Sequence, residues 1–379
     1  MTQAPDLVPG LVPDLAPVLV TAGGTGGHLF PAEALAAALQ QRGIAVHLAT
    51  DRRAERFGGA FSESNIHVVA SATLRARNPT ALTRTAALLG FGFVQAWALL
   101  GRLKPAAVVG FGGYPTIPPV LAAAWRGVPS LIHDANAVIG RANRLLAPRV
   151  TAIATTFPDM FSAAPDLASK AVLTGNPVRA TVVAAAATPY AAPGETLRLV
   201  VFGGSQGARV MADIVPVAIE TLDPSQRARL SIVQQARDED LGRVREAYAK
   251  LGVTADIAPF FSDLPARLAA SHLVIGRSGA STVAELSAIG RPSILVPLPH
   301  AIDQDQFANA GVLERAGGAI RIVQNDFTPQ RLGTEITALA AAPQRLAAMA
   351  AAARSIGRLD AADRLADLVL KVAATGAKQ

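Results

Sequence analysis

An α/β protein made of two similar halves is what this sequence predicts, and three observations predict it. An apolar run, a glycine-rich turn and an Ala/Leu-rich helical pattern follow one another from Val18 to Leu39 (VLVTAGGTGGHLFPAEALAAAL). The same succession returns from Leu197 to Val215 (LRLVVFGGSQGARVMADIV). Later in each half, GVPSLI (127–132) and GRPSIL (290–295) each follow a helical stretch and open a strand. Alternating strands and helices build parallel sheets, and a pattern that recurs along the chain marks a repeated unit. A chain of 379 residues also exceeds what one hydrophobic core usually supports. The expectation is two Rossmann-like domains in tandem with a cleft between them.

Composition narrows the partners. The formal charge of +7 favours anionic ligands: nucleotides, nucleic acid or acidic lipid. Aromatic residues are only 5% and form no array interleaved with basic residues, so nucleic acid is the weaker choice. The absence of cysteine excludes disulfides, thiolate catalysis and cysteine metal sites. At 51% hydrophobic and 17% charged residues, the chain is apolar enough to hint at an apolar surface. Residues 1–17 lack a basic start and are interrupted by prolines, so they read as a loose extension rather than a signal peptide. These features together fit a cytoplasmic protein with an anionic ligand.

In the first unit, Val18, Leu19 and Val20 suit a buried strand, and Gly23, Gly24, Gly26 and Gly27 allow a sharp turn and close approach. The helix that follows starts with unpaired amide groups, a ready anion site. His28 stands at that start, where the helix dipole disfavours the imidazolium and leaves a neutral ring able to accept a proton. The turn is not a dinucleotide fingerprint, because the third glycine of that motif would fall at Leu29. A plain structural turn is the alternative.

Ile44–Thr50 is the second strand candidate and Asn65–Ala70 a weaker third. The chain then reaches its most hydrophobic part, Ala81 to Leu103, with no charge between Arg84 and Arg102. A spanning helix needs roughly 20 apolar residues, and this run is slightly short and interrupted by Gln95, Gly90 and Gly92. It is either a buried helix of the α/β layer or a membrane-facing apolar patch. For the second reading, Arg75, Arg77, Arg84, Arg102 and Lys104 stand ready to meet anionic headgroups. Ala106–Gly110 is a strand entering GFGGYP (110–115), and a helical stretch to Trp125 follows. Strand Ser130–Ile132 then ends in His133, Asp134 and Asn136. Polar groups at the carboxyl ends of parallel strands are where ligands bind, although loop hydrogen bonding and capping use the same residues. Val150–Ala154 and Ala171–Thr174 are short strands, and GNPVR (175–179) closes the half. The Ala- and Pro-rich stretch from Ala184 to Gly194 reads as a linker.

In the second half Leu273–Gly276 is a strand leading into RSGASTVAEL (277–286). SGAST is a second helix-start anion site, and Glu285 lies about one turn further on, within reach of a ribose diol. After GRPSILVP (290–297), Asp303, Gln304, Asp305 and Gln306 supply carboxylates and amides suited to sugar hydroxyls. Together these describe a pocket for a nucleotide-sugar. No metal-binding motif accompanies them, so helix dipoles and hydrogen-bond donors are expected to neutralise a leaving diphosphate. The Ala-rich end from Pro329 to Ala374 reads as helical. The resulting division is an extension (1–17), a first domain (18–183), a linker (184–196), a second domain (197–360) and a terminal helix (361–379) that packs back on the first domain.

Taken in order, GGTGGHLFPA, GFGGYP, HDAN with RAN following, GNPVR, GGSQGAR, RSGASTVAEL and DQDQFANA resemble the motif series of the MurG family of glycosyltransferases. The resemblance covers nearly the whole chain after residue 17. It implies a GT-B fold, with two Rossmann-like domains facing across a cleft, the donor in the second and the acceptor facing the first. It implies an inverting, metal-independent transfer of N-acetylglucosamine from UDP-N-acetylglucosamine to the 4-hydroxyl of the N-acetylmuramoyl unit of undecaprenyl-linked lipid I. The product is lipid II for peptidoglycan, and no cofactor takes part. The family works peripherally at the cytoplasmic face of the bacterial inner membrane, on an anionic inner-leaflet surface, which favours the membrane-facing reading of Leu88–Leu100.

The resemblance also assigns roles. His28 becomes the expected general base, with Asp134 as alternative base or orienting partner. Thr25, Gly26, Gly27 and Asn136 stand near the donor diphosphate and reacting sugar, and Arg179 and Ser205 serve the nucleotide and its phosphates. The backbone of Phe261 recognises uracil, and Ala280, Ser281, Thr282 and Glu285 run from phosphate to ribose. Gln306, with Asp305, contacts the sugar. Departures from the family are HDAN in place of HEQN, Gln234–Gln235 in place of a His-Gln pair, and a loop before DQDQ one residue longer. The last leaves the sugar contact shared among Gln304, Asp305 and Gln306. Two rival activities share much of this pocket: a GT-B transferase with another lipid acceptor, and a UDP-N-acetylglucosamine 2-epimerase.

Overall fold

The computed structural model describes residues 16–23, 26–51, 61–72, 79–158, 160–162, 164–204, 207–299, 301 and 303–376. Thr25, Ser205, Arg75, Arg77 and most of the N-terminal extension therefore lie outside the described residues.

Two parallel sheets organise the chain. The first contains β1 (Val18–Thr21), β2 (Val46–Thr50), β3 (Ile66–Val68), β4 (Ala107–Gly110), β5 (Ser130–Asp134), β6 (Ala152–Thr155) and β7 (Ala171–Leu173), in the spatial order β3-β2-β1-β4-β5-β6-β7. The second contains β8 (Leu197–Phe202), β9 (Leu230–Gln235), β10 (Thr254–Ala258), β11 (Leu273–Gly276), β12 (Ser293–Leu295) and β13 (Ala319–Arg321), in the order β10-β9-β8-β11-β12-β13. Helices cover both faces of each sheet, so central strands such as β1 and β4 carry unbroken apolar sequence and are buried throughout. In each sheet the order reverses beside the first strand, which opens a crevice at the carboxyl ends of β1 and β4 and again at those of β8 and β11.

The structure moves several predicted boundaries. β3 is three residues long, shorter than Asn65–Ala70. β5 runs on past Ile132, so His133 and Asp134 are its last residues rather than a loop, and both are buried. The apolar run forms a helix from Pro79 to Leu103. Ala96, Leu99 and Leu100 pack into the core with Val108 and Ile132. Phe91 at 58%, Val94 at 63% and nearby Trp125 at 71% exposure face outward. The helix is thus not buried within the layer. Its Thr80–Leu103 stretch is long and apolar enough to cross a membrane, but one face is committed to the first domain.

The connection between the sheets is anchored to the second domain. Arg291, fully buried, donates to the carbonyls of Leu268, Ala269, Ile289 and Gly290 and to that of Thr188 in the connecting stretch. The first four carbonyls belong to the ends of helices Leu264–Ala270 and Ala280–Ile289, where helix dipoles favour a cation. Tyr190 stands over the same guanidinium and donates its hydroxyl to the His272 carbonyl. The chain then crosses back: helix Ala361–Gly376 buries Leu365, Val369 and Val372 against Val18, Leu35 and Leu131 of the first domain. Arg42 adds ion pairs to Asp363 at 3.2 Å and Asp367 at 3.1 Å.

His133 fastens the end of β5 to the segment that leaves the first sheet. Its Nε2 donates to the Gly175 carbonyl at 3.0 Å, which fixes the tautomer, and its ring packs on Phe111. Burial, with His28 nearby, lowers its pKa to about 4 despite the carbonyl, so the ring is neutral in the fold. In the unfolded chain it takes up a proton below about pH 6.5, whereas the native site resists until about 4. Stability from this group is therefore complete above the unfolded value and is lost as pH falls through that window, on the order of 3 kcal/mol in all. His133→Gln, which keeps a donor for Gly175 without a titrating ring, should flatten the fall in urea midpoint between pH 6.5 and 4 relative to the native chain. Parallel pH profiles for the two proteins would contradict this.

Candidate active site

The first wall of the cleft is built where β1 and β4 end. Helix Gly26–Gln40 starts just after β1, with His28 in its first turn. The loop after β4 supplies the surface beneath the imidazole. Gly112 (φ +89°) and Gly113 (φ +77°) hold backbone conformations that side chains rarely adopt. A Cβ at Gly112 would stand 3.3 Å from His28 Cε1, and one at Gly113 3.6 Å from Nε2. These glycines let the ring lie directly on the backbone. The two turns are stitched together: the Gly23 amide donates to the Gly112 carbonyl at 3.3 Å, and the Thr116 hydroxyl donates to Gly112 and Thr21 carbonyls.

The end of β5 forms the floor beside it. The Asp134 carboxylate accepts from the Asn136 amide (3.1 Å), the Gly140 amide (2.8 Å) and Asn143 Nδ2 (3.0 Å). Burial raises its pKa, and these donors act against that rise. The carboxylate shapes its own loop, with both oxygens occupied. Asn143 also donates to the His133 carbonyl. Asn136 is drawn to the other domain: Asn309, fully buried, donates to its Oδ1 at 3.0 Å and accepts from the Ala137 amide at 2.8 Å. Arg141 pairs with Asp303 across the same seam at 3.2 Å.

The second wall rises from β11. Helix Ala280–Ile289 has Gly279 at its N-cap and no side chain capping it, so the first-turn amides at Ala280, Ser281 and Thr282 carry no side-chain cap. The buried Ser281 hydroxyl has no hydrogen-bond partner among the described residues. One turn on, Glu285 pairs with Arg179 at 3.1 Å, and the Arg179 guanidinium lies 4.3 Å from the centre of the Phe30 ring on the first wall. Burial raises the Glu285 pKa, which Arg179 opposes. Arg179 thus joins helix Gly26–Gln40 to helix Ala280–Ile289, which are also in direct contact.

The remaining predicted residues support loops. Gln306 accepts from the Leu298 amide at 3.0 Å, and its carbonyl receives the Ser278 hydroxyl. Asp305 opens helix Asp305–Arg315 and accepts from the Gln306 amide. Phe261 is buried beneath Arg267, whereas Phe260 beside it is exposed. Arg277 turns away from the helix start to donate to the Val296 and Pro297 carbonyls. Among the described residues no three His, Asp or Glu side chains gather in a way that would hold a metal.

His28, Arg179, Glu285, Asn136 and the Ala280 turn therefore converge on one cleft. Phe261 stands instead on the loop after β10, and Asp134 is withdrawn into its own loop. Asn143 and Asn309 complete the seam without being marked by the sequence, although they lie in RAN and DQDQFANA. Neither has a recognisable partner at short spacing. A helix-start anion site at the Ala280 turn with the His28 imidazole opposite is a geometry for displacing a phosphate-linked group by a hydroxyl.

Comparison with known proteins agrees in both halves. The glycosyltransferase family 28 N-terminal domain matches residues 18–155 and its C-terminal domain residues 198–365. A protein of Rhodopseudomonas palustris named UDP-N-acetylglucosamine--N-acetylmuramyl-(pentapeptide) pyrophosphoryl-undecaprenol N-acetylglucosamine transferase is 64% identical over 95% of this chain and 97% of its own. The crystal structure of Acinetobacter baumannii MurG superposes with a TM-score of 0.76 at 30% identity, covering 94% of this chain and 99% of that one. A Neisseria meningitidis UDP-GlcNAc 2-epimerase, at 16% identity and TM-score 0.66 over 93% and 99% of the two chains, shares the fold alone. The architecture is GT-B, and the chain belongs to glycosyltransferase family 28, among its MurG transferases.

Proposed function

We propose that this protein transfers N-acetylglucosamine from UDP-N-acetylglucosamine to the 4-hydroxyl of the N-acetylmuramoyl unit of lipid I, forming lipid II. The observation that carries this is the 64% identity, over 95% of the chain, to a transferase named for that reaction. The cleft supports a mechanism in its own terms. The donor diphosphate lies on the amides of Ala280, Ser281 and Thr282, with Arg179 and Ser205 at its oxygens and Thr25, Gly26, Gly27 and Asn136 on the opposite lip. Glu285 leaves Arg179 to hold the ribose diol, Phe261 presents its backbone to uracil, and Asp305 and Gln306 border the sugar.

His28 takes the proton from the acceptor hydroxyl as its oxygen attacks the anomeric carbon opposite the leaving UDP. The α-linked donor thereby yields a β-linkage. UDP departs with the bonding electrons, its charge met by the helix start and donors rather than a metal. Asp134, with its oxygens engaged by its own loop, is a positioning residue in this scheme. Assays with and without lipid I separate the rivals, since an epimerase would consume donor without lipid. His28→Ala should cut turnover with lipid I by about 10²–10⁴ while leaving UDP affinity within about twofold. Near-normal turnover with intact donor binding would remove His28 from the role of base.

The acceptor's lipid anchor requires a membrane edge, and helix Pro79–Leu103 offers one. Phe91, Val94 and Trp97 point outward beside Trp125; Arg126 lies 4.2 Å from the Trp97 ring centre and Phe93 packs edge-on to Trp125. With Arg84, Arg102 and Lys104 around it, this face suits an anionic inner leaflet, peripheral attachment at the cytoplasmic side, and no role for nucleic acid. Replacing Phe91 and Val94 by Ser should lower binding to vesicles containing acidic phospholipid by at least about tenfold, because each buried side chain is worth roughly 1.5–3 kcal/mol. UDP binding should be unchanged. Undiminished vesicle binding would place the membrane contact elsewhere.

A further inference from the structure

Gln235 is the last residue of β9. β9 lies between β8 and β10 in the sheet, so its end is flanked by the loops that follow those two strands. Gln235 is buried and touches both. Its Oε1 accepts from the Gly203 amide at 3.0 Å, and its Nε2 donates to the Pro259 carbonyl at 3.1 Å. An amide N–H can only donate and a carbonyl only accept, so the orientation of the carboxamide is determined by its partners. Gly203 follows the last residue of β8. The backbone there folds so tightly that a Cβ on Gly203 would meet the Ala208 nitrogen at 2.1 Å. Pro259 precedes Phe260 and Phe261. Gln234 points to the opposite face of the sheet, where it donates to the Met211 carbonyl and accepts from the Tyr248 hydroxyl. The strand's alternation thus divides the pair between the core and the two loops.

We infer that Gln235 is a positioning residue that ties the phosphate turn at Gly203 to the uracil loop at Pro259, and through that tie sets the selection of the donor's base. This rests on the proposed donor pocket. Neither Gly203 nor Pro259 has a side chain able to hold the two loops in register. One carboxamide does so with one acceptor and one donor, and the two can be separated by substitution. Gln235→Glu keeps an acceptor for Gly203 but turns a carboxylate oxygen toward the Pro259 carbonyl. Gln235→Met loses both bonds while keeping a similar shape.

The test measures binding of UDP, CDP and inorganic diphosphate to the full chain, with turnover on UDP-N-acetylglucosamine and lipid I. Gln235→Glu should weaken UDP about tenfold, as expected for a lost and reversed hydrogen bond, leave diphosphate binding within about twofold, and lower the UDP-to-CDP preference. Its KM for the donor should rise while kcat at saturation holds. Gln235→Met should weaken UDP and diphosphate alike. In the native protein, inorganic diphosphate alone should slow amide exchange at Phe260 and Phe261, a readout independent of how either variant folds. Unchanged base preference in Gln235→Glu, or no protection of Phe260 and Phe261 by diphosphate, would overturn the inference and leave the donor pocket standing. Native protein that fails to bind UDP would overturn both.

Discussion

The reversal of strand order beside β1 and beside β8 is the constraint on which the site depends. In a parallel sheet with covering helices, only at such a reversal do neighbouring loops part and leave a crevice above the strand ends. Both sheets place a glycine turn and a helix start there. Because the domains meet at these edges, helices Gly26–Gln40 and Ala280–Ile289 come into contact across one cleft. Their combined dipoles favour an anion between them and disfavour a charged imidazole on either. The chemistry proposed for His28 and for the diphosphate follows from that single arrangement.

What holds the walls in place is polar. Asn309 to Asn136 and Ala137 and Arg141 to Asp303 cross between the domains, and Arg179, paired with Glu285 on the second, lies against Phe30 of the first. Ion pairs that remain partly open to water contribute little to stability, so they set geometry more than they add strength. The Arg179–Glu285 pair is the instructive case. It opposes the upward push that burial gives the Glu285 pKa, and it occupies the two groups proposed for ribose and phosphate. With those proposed roles, donor binding is an exchange of partners rather than the filling of an empty charged hole. The Phe30 ring lies against the same guanidinium, a contact that does not depend on Glu285.

The fold was legible in the sequence because its signals are local. A strand, glycine turn and helix within about twenty residues have a pattern set by backbone geometry, and the repetition of GVPSLI as GRPSIL tied the halves together. His28 and the SGAST helix start were legible for the same reason. The partners of these groups were not. Arg179 meets Glu285, Asn136 meets Asn309, and Gln235 meets Gly203 and Pro259 through folding alone, and such distant pairings leave no periodicity. The family resemblance leaves Asp134 as alternative base or orienting partner; which of its oxygens are engaged, and by what, depends on the folded loop. Composition likewise marked helix Pro79–Leu103 as apolar without revealing which face stays uncovered, since that depends on the neighbouring helix that carries Trp125.

In the proposed mechanism the second domain carries the nucleotide while the first brings His28 to the reacting sugar. A crystal structure with UDP-N-acetylglucosamine tests it most directly. The expected complex has diphosphate oxygens on the amides of Ala280 to Thr282, the Glu285 carboxylate moved from Arg179 to the ribose hydroxyls, and the anomeric carbon facing the His28 imidazole across the cleft. A diphosphate cradled instead by the Gly23–Gly27 turn, with the Arg179–Glu285 pair intact, would contradict it.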